Sequence, residues 1–503
     1  MAELVSRTEE RRQQASSVLD PERRIRLGQF FTPSPAAHLI AAMPVLPERG
    51  TLRILDPGAG VGSLTAALVA RILREAPRLS LDLVAVEAEP RVTPYLQQSL
   101  DECEDAARKR GAFISTTIIP DDFITCMTGF GRLTGPLATP FDLVIMNPPY
   151  RKLGAASYER QALLPDGVDC SNLYCTFLAL GVLGLKSRGQ IVAITPRSFA
   201  NGPYFGPFRR FFLEHMTLNR LHLFESRSAV FSDSEVLQEN IVFSATKHAL
   251  QDKVTISASN GHADEPKARV VKYSDVVKPS DLGQFIHIPS SDEAEWATSA
   301  FAGLPCNLNE LGLQVSTGRV VDFRAREHLI DSPSADSVPL IYPGNIKEGR
   351  VRWPLPINKP QGIAHCPQTD KLLLPAEHYV IVKRFSAKEE PRRIVAAVFN
   401  PLDTQSPYIA FENHLNIFHQ NNRGLDERIA IGLALWLNST AVDTFFRIFS
   451  GHTQVNATDL RSMNYPSHRQ LIALAEALGQ STWPDQEKND SLVRSHVLNQ
   501  GSL

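Results

Sequence analysis

Phe141-Asp142-Leu143-Val144-Ile145-Met146-Asn147-Pro148-Pro149-Tyr150 reads as an apolar strand that runs straight into a rigid polar turn. The run Phe141–Met146 has the near-continuous hydrophobicity of a strand covered on both faces, as in a parallel sheet. Proline fixes its own φ and biases the residue before it toward extended backbone, so Pro148 and Pro149 hold the carbonyls around Asn147 in place. The Asn147 side-chain carbonyl and a proline backbone carbonyl can each accept one N–H of a planar amine. Accepting both hydrogens draws the nitrogen lone pair out of the ring's conjugation. Tyr150 offers a flat face on which a ring can stack. The plain alternative is a strand closed by a proline turn, and only the surrounding sequence separates the two.

That surrounding sequence lies upstream. Leu52-Arg53-Ile54-Leu55-Asp56-Pro57-Gly58-Ala59-Gly60-Val61-Gly62-Ser63-Leu64 reads as strand, Gly-rich turn and helix. Gly58, Gly60 and Gly62 let a ligand approach the backbone closely. The spacing is that of a dinucleotide fingerprint, but Asp56-Pro57 before it and Asn-Pro-Pro-Tyr after it point to a different nucleoside. A second strand, Leu81–Val86, ends at Glu87, whose carboxylate is placed to accept bonds from ribose hydroxyls. A third element, Thr117-Ile118-Ile119-Pro120, ends in Asp121-Asp122-Phe123. One carboxylate there can accept from an adenine amino group while Phe123 packs on the ring. A single strand-terminal acid is commonly just a solvated loop residue. A succession of strand ends, each with fitting chemistry, is a much stronger signal.

Taken together these segments resemble the S-adenosylmethionine-dependent DNA adenine-N6 methyltransferases of Type II restriction–modification systems, of the TaqI or PstI type. Three more segments carry the likeness. Gly28-Gln29-Phe30-Phe31-Thr32-Pro33 is similar to the family's N-terminal cofactor motif. Ser171-Asn172-Leu173-Tyr174-Cys175-Thr176-Phe177, followed by Arg188–Pro196, is similar to its next helix–strand pair. Ala229-Val230-Phe231-Ser232, before the strand around Gln238–Phe243, resembles the segment that supplies a second aromatic wall for the target base. The likeness covers residues 25 to 245, in the motif order of the gamma class.

The resemblance implies an α/β fold: the class I, Rossmann-like methyltransferase sheet, parallel and flanked by helices, with a C-terminal mixed α+β target-recognition domain. It implies S-adenosylmethionine as methyl donor and no metal. By resemblance the cofactor shell is Thr32, Pro33, Asp56, Gly58, Gly60, Glu87, Asp122, Phe123 and Asn147. Asn147, Pro148, Pro149 and Tyr150 are the expected catalytic residues, with Tyr150 and Phe231 stacking on a flipped-out adenine. The expected partners are double-stranded DNA and a cognate restriction endonuclease. The expected setting is a monomer in a prokaryotic cytoplasm, away from membranes.

Composition agrees with these expectations. The chain has 503 residues, 43% of them hydrophobic, which allows two or three domains and a large core. A net charge of −2 excludes a histone-like binder but not a cleft enzyme with local basic patches. The six cysteines form no C-x-x-C pair or metal spacing, the usage of a reduced, metal-free protein. Met1–Arg7 lacks the apolar core of a signal peptide. Apolar stretches such as Ile429–Leu437 are about half a membrane span.

The pattern divides the chain into an exposed helical arm at 1–27, the catalytic domain at 28–245, a connecting region at 246–300 and a target-recognition domain at 301–503. In the arm, alternating charges such as Glu9, Arg11, Glu22 and Arg23 suit a solvated helix. One apolar helix is expected over Ile429–Phe449. Between 315 and 400 there are thirteen Lys or Arg against nine Asp or Glu. They cluster as Arg319, Arg324 and Arg326, as Lys347, Arg350 and Arg352 around Trp353, as Lys383, Arg384 and Lys388, and as Arg392 and Arg393. Basic groups interleaved with aromatics suit a phosphate-lined groove. The loop Gly451-His452-Thr453-Gln454-Val455-Asn456 resembles one found in specificity domains.

Cytosine C5 methylation needs a thiolate beside proline, and the only Pro-Cys pair, Pro305-Cys306, lies outside the catalytic sheet. Other readings stay open: methylation of cytosine N4, of ribosomal RNA or of a protein glutamine, or a DNA-binding specificity subunit with an inactive methylase fold.

Overall fold

A computed structural model of the chain describes residues 2–20, 22, 28, 30–128, 133–224, 240–259, 267–278, 281, 283–289, 291–334, 337–386, 390–449, 454–479 and 481–498. The chain forms two compact units, Met1–Ser290 and Ser291–Leu503.

Among the described residues of the first unit, nine strands make one sheet. They are β1 (Gly50–Pro57), β2 (Leu79–Val86), β3 (Ile114–Ile119), β4 (Phe141–Met146), β5 (Leu185–Pro196), β6 (Met216–Phe224), β7 (Asn240–Lys247), β8 (Lys253–Ser259) and β9 (Lys267–Lys272). Their order is β3-β2-β1-β4-β5-β7-β6-β8-β9. The five strands from β3 to β5 are parallel, and β7 runs antiparallel between β5 and β6. The central strands β1 and β4 are buried over their carboxyl halves, which is why Leu143–Met146 reads as an unbroken apolar run, whereas β3 at the sheet edge is largely half-buried. The flanking helices are α1 (Ala2–Val18), α2 (Ser34–Ala41), α3 (Ser63–Glu75), α4 (Thr93–Arg108), α5 (Phe123–Thr128), α6 (Leu173–Gly184) and α7 (Gly206–His215). The chain builds β1, β2 and β3 outward in one direction, then returns to lay β4 on the other side of β1. That reversal puts the topological switch point between β1 and β4, the place where open α/β sheets open a crevice at their carboxyl ends.

Two expectations for this unit need correction. The N-terminal helix is not a solvated arm. α1 packs on α3 and α4, and Leu4, Val5, Thr8 and Ala15 are buried. Its charges serve the packing: Arg11 pairs with Glu102 on α4, and Glu9 accepts from the Ser34 backbone at 3.0 Å. The region 246–300 is not a connector either. β8 and β9 extend the sheet, and Ile286 and Ile288 join its core.

Among its described residues the second unit carries two smaller sheets. The first, in the order β10-β20-β17-β18-β14-β13, comprises β10 (Gln314–Thr317), β13 (Ile346–Lys347), β14 (Arg350–Val351), β17 (Tyr379–Lys383), β18 (Ala396–Phe399) and β20 (Leu415–His419). The second, β11-β15-β12-β19-β16, comprises β11 (Leu329–Ile330), β12 (Ser337–Ile341), β15 (Gly362–Ala364), β16 (Leu373–Pro375) and β19 (Tyr408–Phe411). Its longer helices are α8 (Asp292–Ala302), α9 (Glu427–Leu437), α10 (Thr440–Phe449), α11 (Ala457–Arg461), α12 (His468–Leu478) and α13 (Gln486–Val493), and a short helical turn spans Asp322–Ala325. The single apolar helix expected over Ile429–Phe449 is two, α9 and α10, bent by 59°. Asn438 makes the break: its amide donates to Ala396 O (2.9 Å) and accepts from Ala396 N (3.0 Å), tying the end of α9 to β18. Among the described residues no single helix is long and apolar enough to cross a membrane.

Candidate functional site

The strand ends of the first unit bring most of the sequence-selected residues to one side of the sheet. Asp56 closes β1, Glu87 follows β2, Asp121 and Asp122 follow β3, and Asn147 follows β4. Glu87, Asp122, Phe123, Gly58, Gly60, Asn147 and Pro149 share the wall of one cavity of about 210 Å³. Asp121 lies on the same wall, and other lining residues were not selected from the sequence, among them Phe30, Phe31, Arg151, Glu159 and Phe177. Phe177 and Phe123 meet at 5.1 Å between ring centroids, and Arg151 pairs with Glu159 at 2.6 Å. Phe31 and Phe177 both stand inside motifs quoted above, so the signal was present, but nothing local says that they face the same space.

Glu87 is nearly buried, and both its oxygens are engaged from its own chain. Oε2 accepts from Gly60 N and Oε1 from Glu89 N, each at 2.8 Å. Each carboxylate oxygen keeps further acceptor capacity for a ligand hydroxyl. Burial raises the Glu87 carboxyl above its ordinary range, while the two backbone donors pull it back. Gly60 must be glycine. Its φ is +57°, and a Cβ there would stand 3.0 Å from the Phe31 ring.

Asp56 behaves differently from its neighbour. Its carboxylate turns toward α3 and accepts from Thr65 Oγ1 at 2.7 Å, away from the cavity wall. Among the described residues its Oδ1 is buried without a partner. Burial pushes the carboxyl up to about 7.

Asn147 is held at both ends of its amide. Its Nδ2 donates to Phe30 O at 2.9 Å and to Thr32 Oγ1 at 3.0 Å. Two acceptors fix which end of the amide is nitrogen, so Oδ1 faces the other way, with the Tyr150 hydroxyl at 3.0 Å. Tyr150 is 9% exposed, with Phe30 and Tyr174 rings at 6.2 and 6.1 Å. Gly28 is clamped on this turn. Tyr150 N donates to Gly28 O at 2.9 Å, and a Cβ on Gly28, whose φ is +68°, would run into the Tyr150 backbone. Thr32 and Pro33 are not on the cavity wall; Thr32 holds Asn147 instead. Phe231 lies outside the described residues.

In the second unit the basic residues separate into two kinds. Arg393 is buried, donating to Ser386 Oγ at 3.1 Å, and Arg392 donates to Ser439 O at 2.8 Å. These two hold the fold and are unsuited to a groove. Arg319 is tied to Lys371 O at 3.2 Å and to Asn422 Oδ1 at 2.5 Å. Arg324, Arg326, Arg350 and Lys347 are exposed. Lys388 and His452 lie outside the described residues.

Comparison with known proteins accords with this geometry. Residues 80–231 match the family of Eco57I restriction-modification methylases. The chain is 41% identical to Type II methyltransferase M.BsuBI of Bacillus subtilis, over 90% of this chain and 89% of that protein. It is 39% identical to Type II methyltransferase M.PstI of Providencia stuartii, over 97% of this chain and 96% of that protein. The solved structure of the Type IIL restriction-modification enzyme MmeI in complex with DNA is 11% identical; the match covers 90% of this chain and 71% of that one with a TM-score of 0.56, a likeness of fold. The first unit has the class I methyltransferase sheet, and the chain belongs to the Type II DNA methyltransferases of restriction–modification systems.

Proposed function

We propose that this protein transfers a methyl group from S-adenosylmethionine to N6 of an adenine flipped out of duplex DNA, protecting the site from a cognate restriction enzyme. The observation that carries the reading is the locked amide of Asn147. An amide whose nitrogen is held by Phe30 O and Thr32 can present only its carbonyl to an incoming amine. That carbonyl and the Pro148 backbone carbonyl accept the two N–H groups of adenine N6. The nitrogen lone pair is then directed at the methyl donor, and no covalent intermediate with the protein is required. The work is positioning.

The cavity fits the cofactor. Its carboxylates suit hydroxyl and amine donors, and Phe31, Phe123 and Phe177 supply apolar faces for a nucleoside. S-adenosylmethionine, when bound, supplies the electrophilic methyl. In this reading Glu87 accepts from the ribose hydroxyls, Asp122 from the adenine amino group, and Phe123 packs on that ring. Gly58 and Gly60 leave the backbone open to the ligand. Asp56 supports the wall from behind, through Thr65. Extruding the base costs a few kcal/mol in lost stacking. Tyr150, with Phe231 assigned to the opposite face, offsets part of it at about 1–3 kcal/mol per stacked base. The second unit chooses the site.

Mass spectrometry of nucleosides from duplex DNA incubated with the protein and S-adenosylmethionine tests this. N6-methyladenine is expected. Label in cytosine, in RNA or in a protein glutamine overturns it.

A further inference from the structure

In the second unit the described residues gather four chain segments at one loop edge, and backbone hydrogen bonds tie them in series. Asn413 N donates to Val320 O (2.8 Å), Arg384 N to His414 O (2.9 Å) and Val455 N to Arg384 O (2.7 Å). Phe385 and Gln454 form a bridge. This edge presents two exposed phenyl rings, each attended by an arginine. Phe323 is 76% exposed, with the Arg324 guanidinium 5.4 Å from its centroid. Phe385 is 46% exposed, with Arg384 at 6.0 Å and the exposed His414 imidazole at 4.8 Å.

One exposed phenylalanine is ordinary on a soluble protein. Three features set this edge apart. The first is rigidity. Asp322, next to Phe323, accepts from the Tyr342 hydroxyl (3.0 Å) and the Lys359 ammonium (2.9 Å), and Ala325 is buried behind it. Phe323 is therefore held out into solvent from an anchored turn. The second is charge. Among the described residues the guanidinium groups of Arg324 and Arg326 have no hydrogen-bond or ion-pair partner. The carboxylates of the same segments are engaged: Asp322 as above, and Glu412, buried, by the backbone N–H (2.9 Å) and imidazole of His414. The third is that Arg384 donates to Asn413 O (3.2 Å) and stands 3.5 Å from Gln454 Oε1, with its buried Nε left unpartnered. Cations without counter-ions beside rigid apolar rings match the surface of duplex DNA, where arginine bonds guanine edges or phosphates and apolar groups meet thymine methyls or wedge between bases.

We infer that the edge formed by segments 319–326, 384–385, 412–414 and 454–455 is the face of the second unit that enters a DNA groove. Arg324 and Arg326 donate to bases or phosphates there, and Phe323 and Phe385 make the apolar contacts. This rests on the reading of the protein as a DNA methyltransferase.

The test uses the full chain with Phe323→Ala, Phe385→Ala and Arg324→Ala, singly and combined. All three side chains are exposed, so a thermal midpoint and an S-adenosylmethionine affinity equal to wild type are expected and verify the fold. Fluorescence anisotropy then reads affinity for a duplex carrying the sequence that the wild type methylates, and for an unrelated duplex. Phe323→Ala and Arg324→Ala should each weaken binding to the first duplex about tenfold. A loss confined to that duplex marks a base contact, and an equal loss on both marks a phosphate contact. A folded triple variant with wild-type DNA affinity and an unchanged methylation pattern would overturn the inference while leaving the methyltransferase reading intact. A wild type that neither binds nor methylates DNA would instead bring down that reading, and this one with it. Should the triple variant not fold, the single Arg324→Glu decides: unchanged affinity on both duplexes sinks the proposal.

Discussion

The two units assemble their polar groups in different ways. In the first, Glu87, Asp122 and Asn147 each follow a strand of one sheet within a few residues, and parallel pairing alone brings them together. In the second, the exposed rings and cations sit on loops far apart in sequence: segments 319–326, 384–385 and 412–414 adjoin the ends of β10, β17 and β20, neighbouring antiparallel strands, and a few backbone hydrogen bonds beyond the strands close the edge. The first arrangement is stiff and hard to vary without losing the sheet. The second lets one loop change while the others stay. Such a division suits a protein whose chemistry is constant and whose target varies.

The strongest way to break the comparison is to separate the two roles. Replacing Ser291–Leu503 with the equivalent unit of a related methyltransferase should move methylation to that relative's sequence. Specific binding typically exceeds non-specific binding by about 4–10 kcal/mol, so the change should be all-or-none in single-molecule sequencing of modified DNA. A chimera that still marks the original site would place recognition in the first unit. Next in size is Asn147→Ala. Losing the amine acceptor should lower the methylation rate roughly a thousandfold, about 4 kcal/mol, with S-adenosylmethionine binding unchanged by calorimetry. Activity within tenfold of wild type would mean that the amine is held elsewhere.

The same contrast explains what could be read from the chain. Gly58, Gly60, Glu87, Asp122, Phe123 and Asn147 reach the cavity wall from places that local pattern marks, the ends of β1, β2, β3 and β4. The role of Thr32 was not legible, because it acts across 115 residues on the Asn147 amide. The burial of α1 was hidden by its charges, which pair with α4 and its own turns rather than with water. β8 and β9 were missed because both mix polar with apolar residues, β9 at the sheet edge and β8 beside it. Arg392 and Arg393 looked like groove residues until their carbonyl and hydroxyl partners were visible. Composition says that a cation is present and not where its hydrogen bonds go.

Two predictions probe the stiffness of the first unit. Burial raises the Asp56 carboxyl to about 7, against about 3.9 when unfolded. Its proton therefore stabilises the fold fully below about pH 4, and that contribution is lost as pH rises through about 7. Asp56→Asn keeps the shape and removes the titration. In cofactor-free protein, the stability of the variant minus that of wild type should grow from pH 5 to pH 8.5 by up to about 2.7 kcal/mol. A difference that stays flat with pH would mean that Asp56 ionises like an exposed acid. Glu87→Ala should weaken S-adenosylmethionine binding about tenfold, near 1.4 kcal/mol, for the loss of a ribose bond. Wild-type affinity there would remove Glu87 from the cofactor shell.

The smallest effect separates two accounts of one residue. The family resemblance assigns Thr32 to the cofactor, whereas its hydroxyl accepts from Asn147 Nδ2 at 3.0 Å and its side chain is off the cavity wall. Thr32→Val keeps the volume and deletes the acceptor. Asn147 would retain only Phe30 O, and its amide would turn more freely. A neutral hydrogen bond is worth about 1 kcal/mol net, so kcat should fall about fivefold while cofactor affinity and KM for DNA hold. Thr32→Ser, which restores the oxygen, should recover most of the rate. If Thr32→Val instead weakens S-adenosylmethionine binding and leaves kcat untouched, the residue belongs to the cofactor shell. The orientation of Asn147 would then depend on Phe30 and Tyr150 alone.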